Sequence, residues 1–376
     1  VHFFSNAASS RFAVLFEEFS MKYSTLAVLL IGAASGAAMA QTNVTVYGIA
    51  DVGLVAERGN AAGSVSKLTS GIASGSRLGF RGTEDLGGGL AANFLLETGI
   101  AIDTGGFNQG NTAFGRQAFV GLSGGFGAVT LGRQYTPQYL TLVLADPFGT
   151  GLAGDAANIM PNTGDAASRM NNTIKYASPN LQGFTGEVAY GFGETAGSTK
   201  AARQYGAAIG YANGPIAVRL GYHNRNNDTA TVTNTSTAKN TLLAMTYDLS
   251  VVKLHLGYGV DKGANSSILR NTGNPYGSAV APIASTDSRD LLLGVTAPFG
   301  VHTLLGSYIR KDDKTGNNQD ANQWAIGYRY ALSKRTDLYS SYARIKNDNG
   351  AGYTVGSAIE AGSGDKAFNV GVRHTF

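Results

Sequence analysis

"AFNVGVRHTF", residues 367–376, alternates strictly. From Phe368 every second residue (Phe368, Val370, Val372, His374, Phe376) is large and mostly apolar, while Asn369, Gly371, Arg373 and Thr375 lie between them. A period of two is the mark of a strand with one oily and one wet face. Whether the oily face meets a protein core or lipid depends on what repeats elsewhere in the chain.

Runs of the same kind recur throughout, each near the ~10 residues that a tilted membrane strand needs. Sixteen are expected: 44–57, 75–83, 89–102, 113–123, 126–134, 171–178, 182–193, 202–212, 215–226, 239–249, 251–262, 287–297, 301–312, 321–331, 336–347 and 366–376. In "VVKLHLGYGV", Val252, Leu254, Leu256, Tyr258 and Val260 share one face, with Lys253 and His255 on the other. Short links such as "SGGF", "ANG" and "APFG" alternate with long polar ones at 58–74, 135–170, 227–238, 263–286 and 348–365. An up-and-down barrel with tight turns at one rim and long loops at the other produces that rhythm. All eight prolines fall in loops, in turns or at a strand's first residue, as expected of a residue that cannot donate to a ladder.

Composition agrees. Of 376 residues, 52 are glycine, about twice the usual ~7% share. Tyr and Phe total 35 against one Trp, and cysteine is absent, which excludes disulfides, thiolate metal sites and cysteine nucleophiles. The net charge is +4. Residues 21–40, "MKYSTLAVLLIGAASGAAMA", carry an early Lys, a short apolar run and Ala38-Met39-Ala40 before Gln41, the pattern of a cleaved export signal. Residues 1–20, ahead of Met21, read as an upstream start, leaving 41–376 as the barrel. No later segment reaches 18 apolar residues, so membrane passage would require a closed sheet. Tyr211, Tyr222, Tyr247, Phe299, Tyr328, Tyr330, Tyr339 and Phe376 lie near strand ends or in adjacent turns and are expected to form aromatic girdles facing the lipid.

"SRLGFRGTEDLGGGLAANFLLETG" (76–99), "RQAFVGLSGGFGAVTLGRQYTP" (116–137) and the terminal "GVRHTF" resemble the general porins of Gram-negative β-proteobacteria, the Burkholderia, Bordetella and Neisseria type, over the whole length after the signal. The resemblance implies an all-β, 16-stranded antiparallel transmembrane barrel of the outer membrane. It also implies short periplasmic turns, long extracellular loops and a third loop, 135–170, folded into the lumen. It implies a homotrimer in contact with outer-membrane lipid and lipopolysaccharide, built by the barrel-assembly machinery, for which the aromatic Phe376 serves as the signal. Folding inward would give "LTLVLADPFG" (140–149) a dry place; read in isolation, 140–145 could also be one more strand.

Strand parity sends Arg77, Arg81, Lys175, Arg219, Lys253, Arg329, Arg344 and Arg373 inward, against Glu97, Glu187 and Asp290. Basic groups along an aqueous path set ion preference through the local potential, so mild anion selectivity is expected. Arg116 and Arg133 face outward by simple alternation, but their counterparts in similar porins look toward the constriction, and the resemblance is followed here. Asp146 and Asp155 on the third loop stand either as an acidic wall facing the arginines or as loop caps.

Catalytic patterns are weak. "GLSGG" (121–125) lacks the helix a nucleophile elbow requires, and "GFGETA" (191–196) is followed by a polar loop instead of a phosphate-binding helix. His223, His255, His302 and His374 have no ligand spacing. The expected function is a passive channel for ions and small hydrophilic solutes, with no enzyme activity, cofactor, metal or nucleic-acid partner. A substrate-selective channel, and a barrel serving mainly as adhesin or anchor, are the alternatives.

Overall fold

The computed structural model describes residues 43–161 and 168–376; the expected export segment and the stretch before it lie outside them. The strands are β1 (Asn43–Arg58), β2 (Val65–Ser70), β3 (Arg77–Gly87), β4 (Leu90–Gly99), β5 (Gln117–Gly124), β6 (Gly127–Tyr135), β7 (Arg169–Ala177), β8 (Phe184–Gly191) and β9 (Gln204–Asn213). They continue with β10 (Ile216–Asn226), β11 (Thr237–Asp248), β12 (Lys253–Ser267), β13 (Ser285–Phe299), β14 (His302–Asp313), β15 (Ala321–Ala331), β16 (Thr336–Asn347) and β17 (Lys366–Thr375). Each of the sixteen expected runs overlaps one of them, with ends that differ by a few residues, and β2 is additional.

From β3 onward successive strands pair antiparallel, and the cylinder closes where β1 meets β17, in register from Ile49 opposite Thr375 to Arg58 opposite Lys366. The other edge of β1 is shared. Its first half pairs with β3 and its second half with β2, so β2 fills the wall above the point where β3 ends. Asp51 pins the junction. Its carboxylate accepts from the backbone amides of Ile72, Ala73 and Ser74 and from the Tyr339 hydroxyl (2.6 Å), while its own amide donates to Ser76 Oγ.

The outer face carries the oil. Val46, Leu54, Val120, Leu131, Val188, Ile209, Leu254, Leu304, Ile326 and Val370 all lie exposed on it. A contiguous apolar surface of that extent marks a lipid-facing wall. Phe376 is exposed too, and Gly48 and Phe376 exchange backbone hydrogen bonds at the seam. Tyr339 departs from the expected girdle: it is buried, pointing inward onto Asp51.

The third loop runs inward. Thr136 caps α1 (Pro137–Ala145) by accepting from the Tyr139 amide, and Pro137 fits the first helical position, where no amide donor is needed. Residues 140–145 are thus helical rather than a further strand. From α1 the loop travels round the inner wall, and wall glycines receive it in order. A Cβ on Gly206 would lie 3.1 Å from Pro137, one on Gly257 3.2 Å from Ala145, one on Gly294 2.7 Å from Pro147, and one on Gly327 2.7 Å from Phe148. Leu142, Phe148, Leu152, Ile159 and Met160 join Leu292, Leu305 and Ile309 of the wall in a buried cluster. The loop is therefore held by the same burial of apolar surface that builds a soluble core.

Candidate functional site: a basic wall facing the third loop

The loop leaves a cavity of about 630 Å³ beside it, bounded by Arg77, Arg116, Arg169 and Arg270, by Tyr135, Tyr139, Leu140 and Val143, and by Asp155. Its basic side is built from β3, the residue just before β5, and the first residue of β7. Arg116 donates through Nε to Glu97 Oε1 (2.7 Å) and through Nη2 to the Tyr135 hydroxyl (2.7 Å). Arg169 donates through Nε to the Arg116 carbonyl and lies 4.7 Å over the Tyr135 ring. Tyr135 in turn stacks on Tyr139 of α1. Arg77 is fixed by the Gly75 carbonyl, 3.9 Å from Glu97 Oε2, and that oxygen accepts from the Tyr47 hydroxyl. Arg81, exposed, lies over Tyr47.

The opposite side is a clamp. Arg270, from the loop 268–284 between β12 and β13, reaches Asp155 Oδ2 and Asn158 Oδ1 on the third loop (each 3.1 Å) and the carbonyls of Ser357 and Glu360 on the loop before β17 (each 2.8 Å). One guanidinium thus ties three loops. Four guanidiniums line the cavity against one lining carboxylate, Asp155, with Glu97 paired behind Arg116, so positive charge is in excess around the space.

The other expected residues are distributed as follows. Lys175, Glu187 and Arg219 form an inward triplet in which Lys175 Nζ is 2.7 Å from Glu187, Arg219 pairs with the same carboxylate, and Arg219 Nε donates to Thr141 of α1. Arg373 is held by Asp337 (2.6 Å) and Ser74, with Arg329 inward on β15. Lys253 pairs with Asp248 at the short-turn rim. Asp290 is buried against Lys311 (2.7 Å), with Asp261 3.7 Å from the same ammonium, and is shut off from the cavity.

Three expectations need correction. Arg344 faces outward: it stands opposite the exposed Trp324, while its neighbours Ala343 and Ile345 are the buried ones. Arg133 is not among the residues that bound the cavity; it bonds the Gly115 carbonyl and the Asn171 side chain. Asp146 is a cap and not part of an acidic wall, accepting from the amides of Phe148, Thr150 and Ala156. Burial, reinforced by the nearby Asp155, pushes the Asp146 carboxyl up to about 7. Asp155 serves both roles, capping the short turn at 156–158 and facing the cavity with Arg270; burial raises its carboxyl too, against the pull of that guanidinium.

Arg169 and Arg270 were absent from the sequence reading. Arg169 opens a strand and Arg270 lies in a loop, where alternation gives no signal. Among the described residues no group of three or more His, Asp or Glu is placed to hold a metal ion.

A closed antiparallel cylinder, oily outside and charged within, narrowed by an inward loop, defines an outer-membrane β-barrel channel. A family description of Gram-negative porins matches residues 25–350, and the chain belongs to that family. It is 36% identical to outer membrane porin protein 32 of Delftia acidovorans, over 95% of this chain and the whole of that protein. It is 32% identical to an outer membrane porin protein of Bordetella pertussis, again over 95% of this chain and all of the other. Its fold superposes on the anion-selective porin from Comamonas acidovorans with a TM-score of 0.73 and 32% identity, covering 89% of this chain and all of that one. The chain is accordingly a diffusion channel of the Gram-negative outer membrane.

Proposed function

We propose that the channel passes small anions in preference to cations, and that the cavity between α1 and the Arg77–Arg116–Arg169 wall is its narrowest, selecting point. The observation that carries this is the excess of guanidinium over carboxylate around the cavity. The anion-selective porin from Comamonas acidovorans, similar in fold and sequence, supports it. Selection is electrostatic: a low-dielectric wall focuses the positive potential on the aqueous path, raising the local concentration of anions and lowering that of cations. The remaining inward charges, Arg81, Lys175, Arg219, Arg329 and Arg373 with Glu187, grade the potential on either side. No residue forms or breaks a covalent bond during passage.

The same reading takes the working form as a homotrimer among outer-membrane lipid and lipopolysaccharide, exported through residues 21–40 and inserted by the barrel-assembly machinery through Phe376. Reversal potential in a salt gradient across a planar bilayer tests the selectivity. Wild type should give the sign of an anion-preferring pore, and Arg116→Ser should move the potential toward zero while the channel still conducts. A cation-preferring wild type ends the selectivity claim.

A further inference from the structure

The Tyr135 hydroxyl accepts twice. It takes one hydrogen bond from Arg116 Nη2 (2.7 Å) and another from Arg169 Nη2 (3.1 Å). A phenolic oxygen so occupied still carries its own proton, which needs an acceptor, and neither guanidinium can serve because both only donate. Among the described residues nothing accepts from this hydroxyl. Tyr135 lines the cavity, so the acceptor that completes it comes from what the cavity holds. The ring is fixed in place: Tyr139 stacks on it with centroids 4.8 Å apart, and the Arg169 guanidinium lies 4.7 Å over it.

Two more donors border the same space. Arg116 commits Nε to Glu97 and Nη2 to Tyr135, which leaves Nη1. Arg77 commits Nε to the Gly75 carbonyl and holds Nη1 3.9 Å from Glu97, which leaves Nη2. Among the described residues, Arg116 Nη1 and Arg77 Nη2 have no hydrogen-bond partner, and both are open to solvent. Gly75 keeps the first of them within reach. A Cβ at that position would stand 2.8 Å from Arg116 Nη1 and 3.2 Å from Ile359, closing the approach from the cavity.

We propose that Tyr135 is a specificity-determining residue: it donates its hydroxyl proton to one oxygen of a permeating carboxylate while the open N–H groups of Arg116 and Arg77 take the other, so that the channel favours carboxylates over halides. The fit discriminates by shape as well as by charge. A carboxylate has two oxygens in one plane and uses the hydroxyl and the guanidinium donors together, at the short distances of charge-assisted bonds. Chloride is a single sphere, and the donors that suit two oxygens cannot all close on one centre. The inference rests on this cavity being the point that selects anions, and it adds which anions are favoured there.

The test is the reversal potential across a planar bilayer with potassium chloride on one side and potassium formate at equal concentration on the other. Potassium is then balanced, and the potential reads the permeability ratio of the two anions. Wild type should favour formate beyond the ratio of the two mobilities in free water. Tyr135→Phe removes the proton donor and should lower the formate-to-chloride ratio roughly threefold, the weight of one net hydrogen bond. Gly75→Ala should lower it as well, by crowding Arg116 Nη1 while Tyr135 is intact. In a potassium chloride gradient both variants should keep the sign of an anion-preferring pore, since neither removes a charge. An anion-preferring wild type whose formate-to-chloride ratio is untouched by Tyr135→Phe overturns the inference and leaves the proposed function standing. Equal loss of formate and chloride current in that variant also overturns it, reducing Tyr135 to a support for the arginines. A cation-preferring wild type removes both the selectivity and this residue's part in it.

Discussion

The lumen has two unlike sides. Along β11–β16 the inner wall is packed: Leu292, Leu305, Ile309 and Ile345 are buried against the third loop or its neighbours, and the charges among them are locked, Lys311 between Asp261 and Asp290 with no solvent exposure at all. Along β3–β7 the wall is open and basic, its arginines held by tyrosines and by a single glutamate. The packed side gives up water-filled volume so that the loop is held still. The open side is where, on the proposed reading, the solute passes. A rigid loop on one side lets the field on the other act over a fixed, short distance.

Breaking the packed side should have the largest effect. Lys311→Met leaves two carboxylates buried without their cation, a change expected to cost about 3–5 kcal/mol. Thermal unfolding in detergent would read this, and adding Asp261→Asn and Asp290→Asn should restore most of it. A Lys311→Met barrel as stable as wild type would show that these carboxylates do not need the lysine.

Unseating the loop without disturbing charge is the next step. Gly327→Val pushes a side chain into the space of the Phe148 ring, an overpacking expected to cost about 1–3 kcal/mol. Its signature should be a larger and noisier single-channel current with the reversal potential moved toward zero, because the positive wall would then face a wider path. Unchanged conductance would separate the loop's seat from the pore's width.

The smallest expected effect is a pH dependence in the loop. The carboxyl of Asp146 titrates near 7 when seated and near its ordinary value when the loop opens, so the seated form binds the proton more tightly. That contribution is fully present below about pH 4 and is lost as pH rises through about 7. Amide exchange of residues 148–156, corrected for intrinsic rates, should show about tenfold less protection at pH 8 than at pH 6. Asp146→Asn should flatten the difference, and a wild type already flat would place the proton elsewhere.

The cylinder was legible because its cause is local: lipid on one face and water on the other impose alternation strand by strand, and the sixteen runs follow. Parity failed where that cause is absent. In β16 the inner face meets protein, not water, so Tyr339, Ala343 and Ile345 point inward while Arg344 and Lys346 point out above the lipid band. β2 was missed because six residues within a polar loop carry too short a pattern. Arg116 shows the converse: alternation sends it outward, yet it lies just before β5, free of the ladder, and turns in to Glu97. Arg270 left no trace at all, since its partners lie on two other loops, distant in sequence, that meet only in the folded barrel.

The seam between β1 and β17 has a consequence for the order of events during biosynthesis. The first strand's partner is β17, more than three hundred residues later in the chain, so one edge of the sheet stays unpaired until β17 has been made. Closure is thus a long-range step, and any sheet formed before it carries an exposed, adhesive edge.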